Sequence, residues 1–434
     1  MHYVLSPNVT WTQITKFADR ITRSTLGLDN SLYLLSLKDS PRGKILRMSL
    51  AGRPELTKTS VFVNQGEGVI TDFAPTAQKL YVEEMIGGPS RLRVFNLNGK
   101  EEQAVPTEPV VGIGSVLWTE GDKILFSQSS YLAPSAFYQY DPSAGVVTPT
   151  ALKRKAKADW SNTEVVREYA TSKDGTKIPI NILRPKGIKL DGNNPTILYA
   201  YGGYGISMTP YASVRNSVWL NSGGVYAIAN IRGGGEFGDE WHRAGNLTKK
   251  QNVFDDFIAC EEYLVKAGYT NPAKLVAEGG SNGGLLMGAI LVQRPELLRA
   301  VSAAAGLYDM IRVELHPNGA YNTTEFGTVK DKAQFEALYA YSPYHHVKEG
   351  VSYPAVLFTT GEYDGRVDPA NSRKMTARLQ AATGSSNPIL LRTSSTTGHG
   401  QGTALSDAIE RDTDVLVFLF DQLGVTFKPP VTNE

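Results

Sequence analysis

At 434 residues the chain has room for two or three domains of ~150 residues and for a sizeable buried core. Apolar residues make up 41% and charged residues 20%, with 44 Lys plus Arg against 43 Asp plus Glu. That balance excludes a disordered or fibrous chain and gives no electrostatic case for nucleic acid or an anionic membrane as partner.

Cys260 is the single cysteine, so an intramolecular disulfide, a cysteine zinc cluster and a CxxC pair are all ruled out. No apolar run approaches the ~20 residues needed to span a bilayer, and Met1–Pro7 lacks a basic segment leading into an apolar one. These features favour a cytoplasmic over a periplasmic or secreted location.

The first ~160 residues, about one domain in length, show a recurring strand pattern. Ser31–Leu35, Lys79–Val82 and Lys123–Phe126 each read as a strand, with Leu32, Leu80 and Ile124 recurring at intervals of 48 and 44 residues. Each is followed by a second strand that ends in a turn: Ile45–Leu50 before Gly52, Leu92–Leu97 before Asn98-Gly99, and Ala136–Tyr140 before Asp141-Pro142. A β-sandwich also uses short strands, but a period in the forties favours four-stranded propeller blades.

From Val165 onward strands alternate with helices. Strands are predicted over Ile178–Leu183, Thr196–Tyr201, Val225–Ile231, Lys274–Glu278, Ala300–Ala305, Pro354–Thr360 and Ile389–Arg392. Helices are predicted from the spacing of Phe254, Phe257, Ile258 and Leu264, and over Leu285–Val292, Arg373–Ala381 and Asp407–Leu423. This alternation predicts an α/β unit with a mostly parallel sheet covered on both faces. The polar stretch Lys153–Asn162 marks the boundary, giving an all-β unit over 1–160 and an α/β unit over 161–434.

Gly279-Gly280-Ser281-Asn282-Gly283-Gly284 satisfies G-x-S-x-G after a predicted strand and before a predicted helix, the setting of a nucleophile elbow. A serine hydroxyl is a weak nucleophile at neutral pH and needs a base and an orienting acid. On a strand–helix fold of this kind the order is serine, acid, histidine. His399, in Gly398-His399-Gly400 after a late strand, is the best placed base; His345 and His346 suit a structural role. The acid is sought in Gly361–Pro369, where Asp364, Glu362 and Asp368 compete.

Gly233-Gly234-Gly235-Glu236-Phe237-Gly238 satisfies G-x-G-x-x-G after a strand. Asp239–Gln251 reads as a loop, however, and without a helix N-terminus there is no fan of amides for a pyrophosphate. No cofactor is expected. No HExxH or Asp-rich calcium loop is present, so no metal is expected either.

With these residues in hand, the sequence resembles the prolyl oligopeptidase family of serine peptidases over nearly its whole length. The resemblance is strongest from Pro195 to Gly424. It rests on Leu198–Tyr204, Asn230–Gly238, Lys250–Phe257, the Ser281 motif, Asp364–Pro369 and Gly398–Gly400. It implies an α/β-hydrolase domain whose active site is covered by a β-propeller that excludes large proteins, so that short peptides are the substrates. It further implies Ser281 as nucleophile, Asp364 as orienting acid and His399 as base, with Tyr201 and the Asn282 amide as oxyanion hole and Arg366 on a substrate carbonyl.

Two departures from the family stand out. Asn322 matches the position where proline-cleaving members place a tryptophan, and Asn318 matches an apolar wall residue, while Phe326 and Val367 keep the expected character. In the oligopeptidase B sister group acidic residues occupy this segment, where Asn322 and Thr324 stand here. The residue preferred before the scissile bond is therefore open, and an esterase or a binding-only chain are the competing functions. The second departure is size. The family has about seven blades, and the three here cannot close the usual ring, which leaves an open edge for self-association.

Overall fold

Side-chain alternation along short strands builds the first unit. The computed structural model describes residues 13–52, 54–155 and 158–429. Met1–Pro7, and Ala156 and Lys157 within the boundary stretch, lie outside the described residues. Three antiparallel sheets of four consecutive strands follow one another. The first holds β1 (Ile21–Leu26), β2 (Ser31–Ser36), β3 (Lys44–Ser49) and β4 (Ser60–Val63). The second holds β5 (Val69–Pro75), β6 (Lys79–Met85), β7 (Ser90–Asn96) and β8 (Glu101–Glu102). The third holds β9 (Val111–Trp118), β10 (Ile124–Ser130), β11 (Ala136–Asp141) and β12 (Val146–Lys153).

Successive residues of a strand point to opposite faces. On β6, Leu80 and Val82 accordingly join Tyr33, Leu35 and Ile45 of the first sheet, while Tyr81 joins Val116, Ile124 and Phe126 of the third. Leu32, Leu80 and Ile124 thus hold equivalent places at the start of the second strand of each sheet. Leu32 packs with Leu34 and Met48 on the face of the first sheet turned away from the second. The arrangement is propeller-like, as the period predicted.

The second unit holds Ser130–Pro134 and the chain from Arg154 on. Its sheet comprises β13 (Thr163–Thr171), β14 (Lys177–Pro185), β15 (Thr196–Tyr199), β16 (Val225–Ala229), β17 (Leu275–Gly280), β18 (Ala300–Ala304), β19 (Ala355–Gly361) and β20 (Ile389–Ser394). The strand order is β13-β14-β16-β15-β17-β18-β19-β20. β14 pairs antiparallel with β13 and β16, and the remaining pairs are parallel. The helices are α1 (Val214–Asn221), α2 (Asp239–Arg243), α3 (Gln251–Lys266), α4 (Asn282–Gln293), α5 (Thr323–Phe326), α6 (Lys332–Tyr341), α7 (Pro343–His346), α8 (Ala370–Ala382) and α9 (Leu405–Leu423).

Both faces of this sheet are covered. α3 and α4 bring Phe254, Phe257, Leu285 and Ile290 onto a core with Ile180, Leu198, Ala277 and Phe358. Leu285–Leu291 of α4 are all buried, which suits a helix apolar all round. Trp219 of α1 meets Phe420 of α9 edge to face, 5.4 Å between centroids. The architecture is that of an α/β-hydrolase. Because the central strands are parallel, the loops after β15, β17, β19 and β20 emerge at one edge of the sheet, and a site can form there.

One sequence expectation is corrected. The stretch Asp239–Gln251 is not a loop throughout: α2 opens directly after Gly238, and a 3₁₀ turn spans Leu247–Lys249. Gly238 adopts φ 89°, and Asp239 and Glu240 in the first turn favour the positive end of a helix. The glycine run itself is explained by packing. A Cβ on Gly233 would stand 2.4 Å from the Gly202 carbonyl oxygen, so only glycine lets this loop approach the one that carries Tyr201.

Candidate active site

Ser281 sits between β17 and α4 with φ 58° and ψ −118°, backbone angles that an L-residue rarely adopts. Its amide donates to the Ala304 carbonyl of the neighbouring strand, 2.8 Å, which fixes the turn. A Cβ on Gly279 would lie 2.5 Å from the Gly283 carbonyl oxygen, so this turn requires glycine there. The sharp bend lifts the serine hydroxyl off the sheet.

His399 Nε2 lies 3.0 Å from Ser281 Oγ, across 118 residues of sequence. Its Nδ1 lies 2.6 Å from Asp364 Oδ2. The other oxygen of Asp364 accepts from the backbone amides of Arg366 and Val367, both at 2.9 Å, so the carboxylate is held at both ends. The three acids that compete in the sequence are separated by their partners. Glu362 is exposed and faces Arg373 at 3.4 Å, and Asp368 faces His316 Nδ1 at 3.1 Å. His316 escaped the sequence reading because only the fold brings it to Asp368, 52 residues away. His345 and His346 are also accounted for locally: His345 Nδ1 meets Ser342 Oγ at 2.8 Å, and His346 Nε2 meets the Tyr339 carbonyl oxygen at 2.7 Å.

Beside this arrangement lies a cleft of about 320 Å³ lined by Tyr201, Tyr204, Leu307, Asn318, Asn322 and Arg366 among others. Burial raises the Tyr201 phenol above its ordinary value, against a hydrogen bond with Ser281 and the charge of Arg366, so the hydroxyl stays protonated and able to donate. Asn282 is the first residue of α4, where backbone amides lack intrahelical acceptors, and its side-chain Nδ2 donates to the Tyr201 carbonyl at 2.5 Å. Two donors, the Tyr201 hydroxyl and the Asn282 amide, are thereby brought to the serine. Arg366 is exposed, with Nη2 donating to Gln401 Oε1 at 2.8 Å.

Asn318, Asn322 and Val367 line the cleft. Phe326 does not. It is fully buried and stands edge-on behind Tyr204, 5.7 Å between centroids, so Tyr204 takes the surface in its place. Tyr204 went unassigned in the sequence although it closes the Leu198–Tyr204 motif. A buried charge network also escaped notice. Lys250 Nζ donates to Glu325 Oε1 (2.9 Å) and to the Gly202 carbonyl (3.0 Å), and Glu325 Oε2 lies 2.7 Å from His242 Nε2. Lys250 and Glu325 are almost wholly buried, and their pairing ties the cleft wall to the loop carrying Tyr201. Among the described residues no cluster of potential metal ligands occurs, and no helix is long and apolar enough to cross a membrane.

Comparison with known proteins bears on this geometry. Residues 210–426 match the model of the prolyl oligopeptidase family, and residues 9–153 match that of the prolyl oligopeptidase N-terminal beta-propeller domain. The chain is 36% identical to a prolyl endopeptidase of Elizabethkingia meningoseptica, covering 91% of this chain and 56% of that protein. It is 38% identical to a prolyl endopeptidase of Dictyostelium discoideum, covering 80% and 47%. A solved structure from a study of two prolyl endopeptidases is similar with a TM-score of 0.86 at 37% identity, over 92% of this chain and 59% of that one. Oligopeptidase B from Leishmania major is similar with a TM-score of 0.83 at 26% identity, over 93% and 58%. The chain spans about half the length of the curated relatives it matches.

Proposed function

The chain belongs to the prolyl oligopeptidase family, and from that premise we propose that it is a serine oligopeptidase that hydrolyses short peptides through an acyl-enzyme, with proline among the residues accepted before the scissile bond. The observation that carries this is the chain of contacts Ser281 Oγ to His399 Nε2 at 3.0 Å and His399 Nδ1 to Asp364 at 2.6 Å. Ser281 Oγ attacks the carbonyl carbon while His399 Nε2 takes its proton. Asp364 fixes the tautomer and orientation of the imidazole and stabilises it when charged. The Tyr201 hydroxyl and the Asn282 amide receive the negative charge that develops on the carbonyl oxygen. His399 then protonates the leaving amine, and a water activated by the same imidazole releases the acyl group. Arg366 holds a neighbouring substrate carbonyl. We take residues 1–160 as the propeller-like domain and 161–434 as the catalytic one.

Hydrolysis of short blocked peptide amides by the chain, set beside matched esters, tests this reading. Cleavage of both, lost in Ser281→Ala, is expected. Cleavage of esters alone would make the protein an acyl hydrolase, and cleavage of neither would leave a binding function. We also propose self-association through the sheet edges of the propeller-like domain, supported by exposed Val61 on β4 and Val146 and Leu152 on β12. A single monomeric species at all concentrations in sedimentation would end that proposal.

A further inference from the structure

The wall of the cleft carries two carboxamides. Asn318 precedes and Asn322 closes the 3₁₀ turn Gly319–Asn322, and both line the cleft. Asn322 is 8% exposed, and the Tyr204 hydroxyl donates to its Oδ1 at 2.8 Å. Phe326 backs Tyr204, so this pair is held from behind. Among the described residues nothing pairs with Asn322 Nδ2 or with either end of the Asn318 amide. Leu307, Val367 and Ile206 supply apolar lining suited to a methylene stem. Among the described residues no carboxylate lines the cleft. The nearby Glu325 is 2% exposed and already engaged by Lys250 and His242.

We infer that this pocket selects, on the acyl side of the scissile bond, a side chain ending in a primary carboxamide, glutamine or asparagine, over proline and over apolar side chains of the same shape. The inference rests on the oligopeptidase reaction proposed above. A carboxamide offers a donor and an acceptor together, so its oxygen can accept from Asn322 Nδ2, the end that Tyr204 leaves free, while its amino group meets the Asn318 amide. A proline ring displaces water from both amides and returns no hydrogen bond. A site with polar groups left unpaired by the wrong substrate discriminates against it. A net hydrogen bond corresponds to roughly 2- to 13-fold in rate, so a preference of about 10-fold in kcat/KM is expected.

The test uses the full chain and blocked fluorogenic tripeptide amides that differ only in the acyl-side residue: Gln, Met, Asn, Leu, Pro, Glu and Arg. Gln should exceed its near-isostere Met, or Asn its near-isostere Leu, by about 10-fold in kcat/KM, and the better carboxamide should exceed Pro. Asn322→Leu should bring the ratio towards one, and Asn318→Leu should lower it in a variant that keeps the Tyr204 contact. A carboxamide-to-isostere ratio at or below one in both pairs, or a clear optimum at Pro, Glu or Arg, overturns the inference. Fluorophosphonate labelling of Ser281 in the same samples separates the two levels. A labelled enzyme without carboxamide preference sinks this inference alone, whereas absence of both labelling and hydrolysis sinks the oligopeptidase reading with it.

Discussion

In the propeller-like unit every sheet is a run of four consecutive strands, and equivalent residues such as Leu32, Leu80 and Ile124 recur at the same place in each. In the hydrolase unit sequence neighbours are separated in space: β16 inserts between β14 and β15, and the Ser281–His399 contact closes a span of 118 residues. A scaffold assembled from local repeats tolerates variation in the number of its copies. A site assembled from four separate loops does not tolerate the loss of one. Chemistry therefore concentrates in the unit with non-local order, and perturbations of the two units should differ in kind.

The largest expected difference concerns the acid. Asp364→Asn should lower kcat/KM by about 10⁴-fold through loss of the correct His399 tautomer. Glu362→Gln and Asp368→Asn, which sit outside the His399 contact, should each cost less than about 10-fold, below the usual contribution of a general acid or base. Steady-state rates on one peptide amide rank the three. Damage at Asp368 with a mild effect at Asp364 would contradict the assignment.

Both units hold a buried glutamate whose carboxyl is pushed up to about 7, chiefly by burial: Glu83 on β6 and Glu236 in the glycine loop. In the unfolded chain each ionises near 4.5. As pH rises the unfolded state therefore releases its proton first, and stability present at acid pH is lost between about 4.5 and about 7. The full shift corresponds to on the order of 3 kcal/mol per group. Glu83→Gln and Glu236→Gln should each flatten that part of the pH dependence of thermal unfolding relative to wild type. A variant curve parallel to wild type across this window would show that the carboxyl is not the cause.

Smaller effects sharpen the contrast within the hydrolase unit. Tyr201→Phe removes one donor to the oxyanion, which typically costs on the order of 100-fold, and the loss should fall mainly on kcat. A change confined to KM would make Tyr201 a binding-wall residue. Asn322→Trp should supply a stacking face for a proline ring, worth roughly 0.5–1.5 kcal/mol or 2- to 13-fold in the Pro/Ala ratio of kcat/KM. An unchanged ratio in a folded variant would place Asn322 outside the pocket.

How much was legible in the sequence follows the same division. The sheets of the first unit were visible because their alternation is local and repeats, and β17, β18 and β19 because strands buried on both faces read as apolar runs. Ser281 was visible because its turn needs glycines at fixed offsets. The acid stayed ambiguous on spacing, since Asp364, Glu362 and Asp368 share one loop and only the fold decides which of them faces His399. The short helices between β18 and β19 were missed. α5 and α7 have four residues each, too brief for a periodicity to register, and the ten residues of α6 bury only Leu338 and Tyr341. Lys250, Glu325 and His242 were missed for another reason. Their pairing spans 75 and 83 residues, and charged residues in a sequence suggest a solvated surface until a fold buries them.

Ser281 and His399 are expected to form a working pair in this chain. Fluorophosphonate labelling followed by peptide mapping tests it most directly, because only a serine activated by its base reacts quickly. One modified residue, Ser281, is expected, with rapid labelling of the native protein, none after denaturation and none in Ser281→Ala. Labelling at another serine, or labelling that persists in Ser281→Ala, would contradict it.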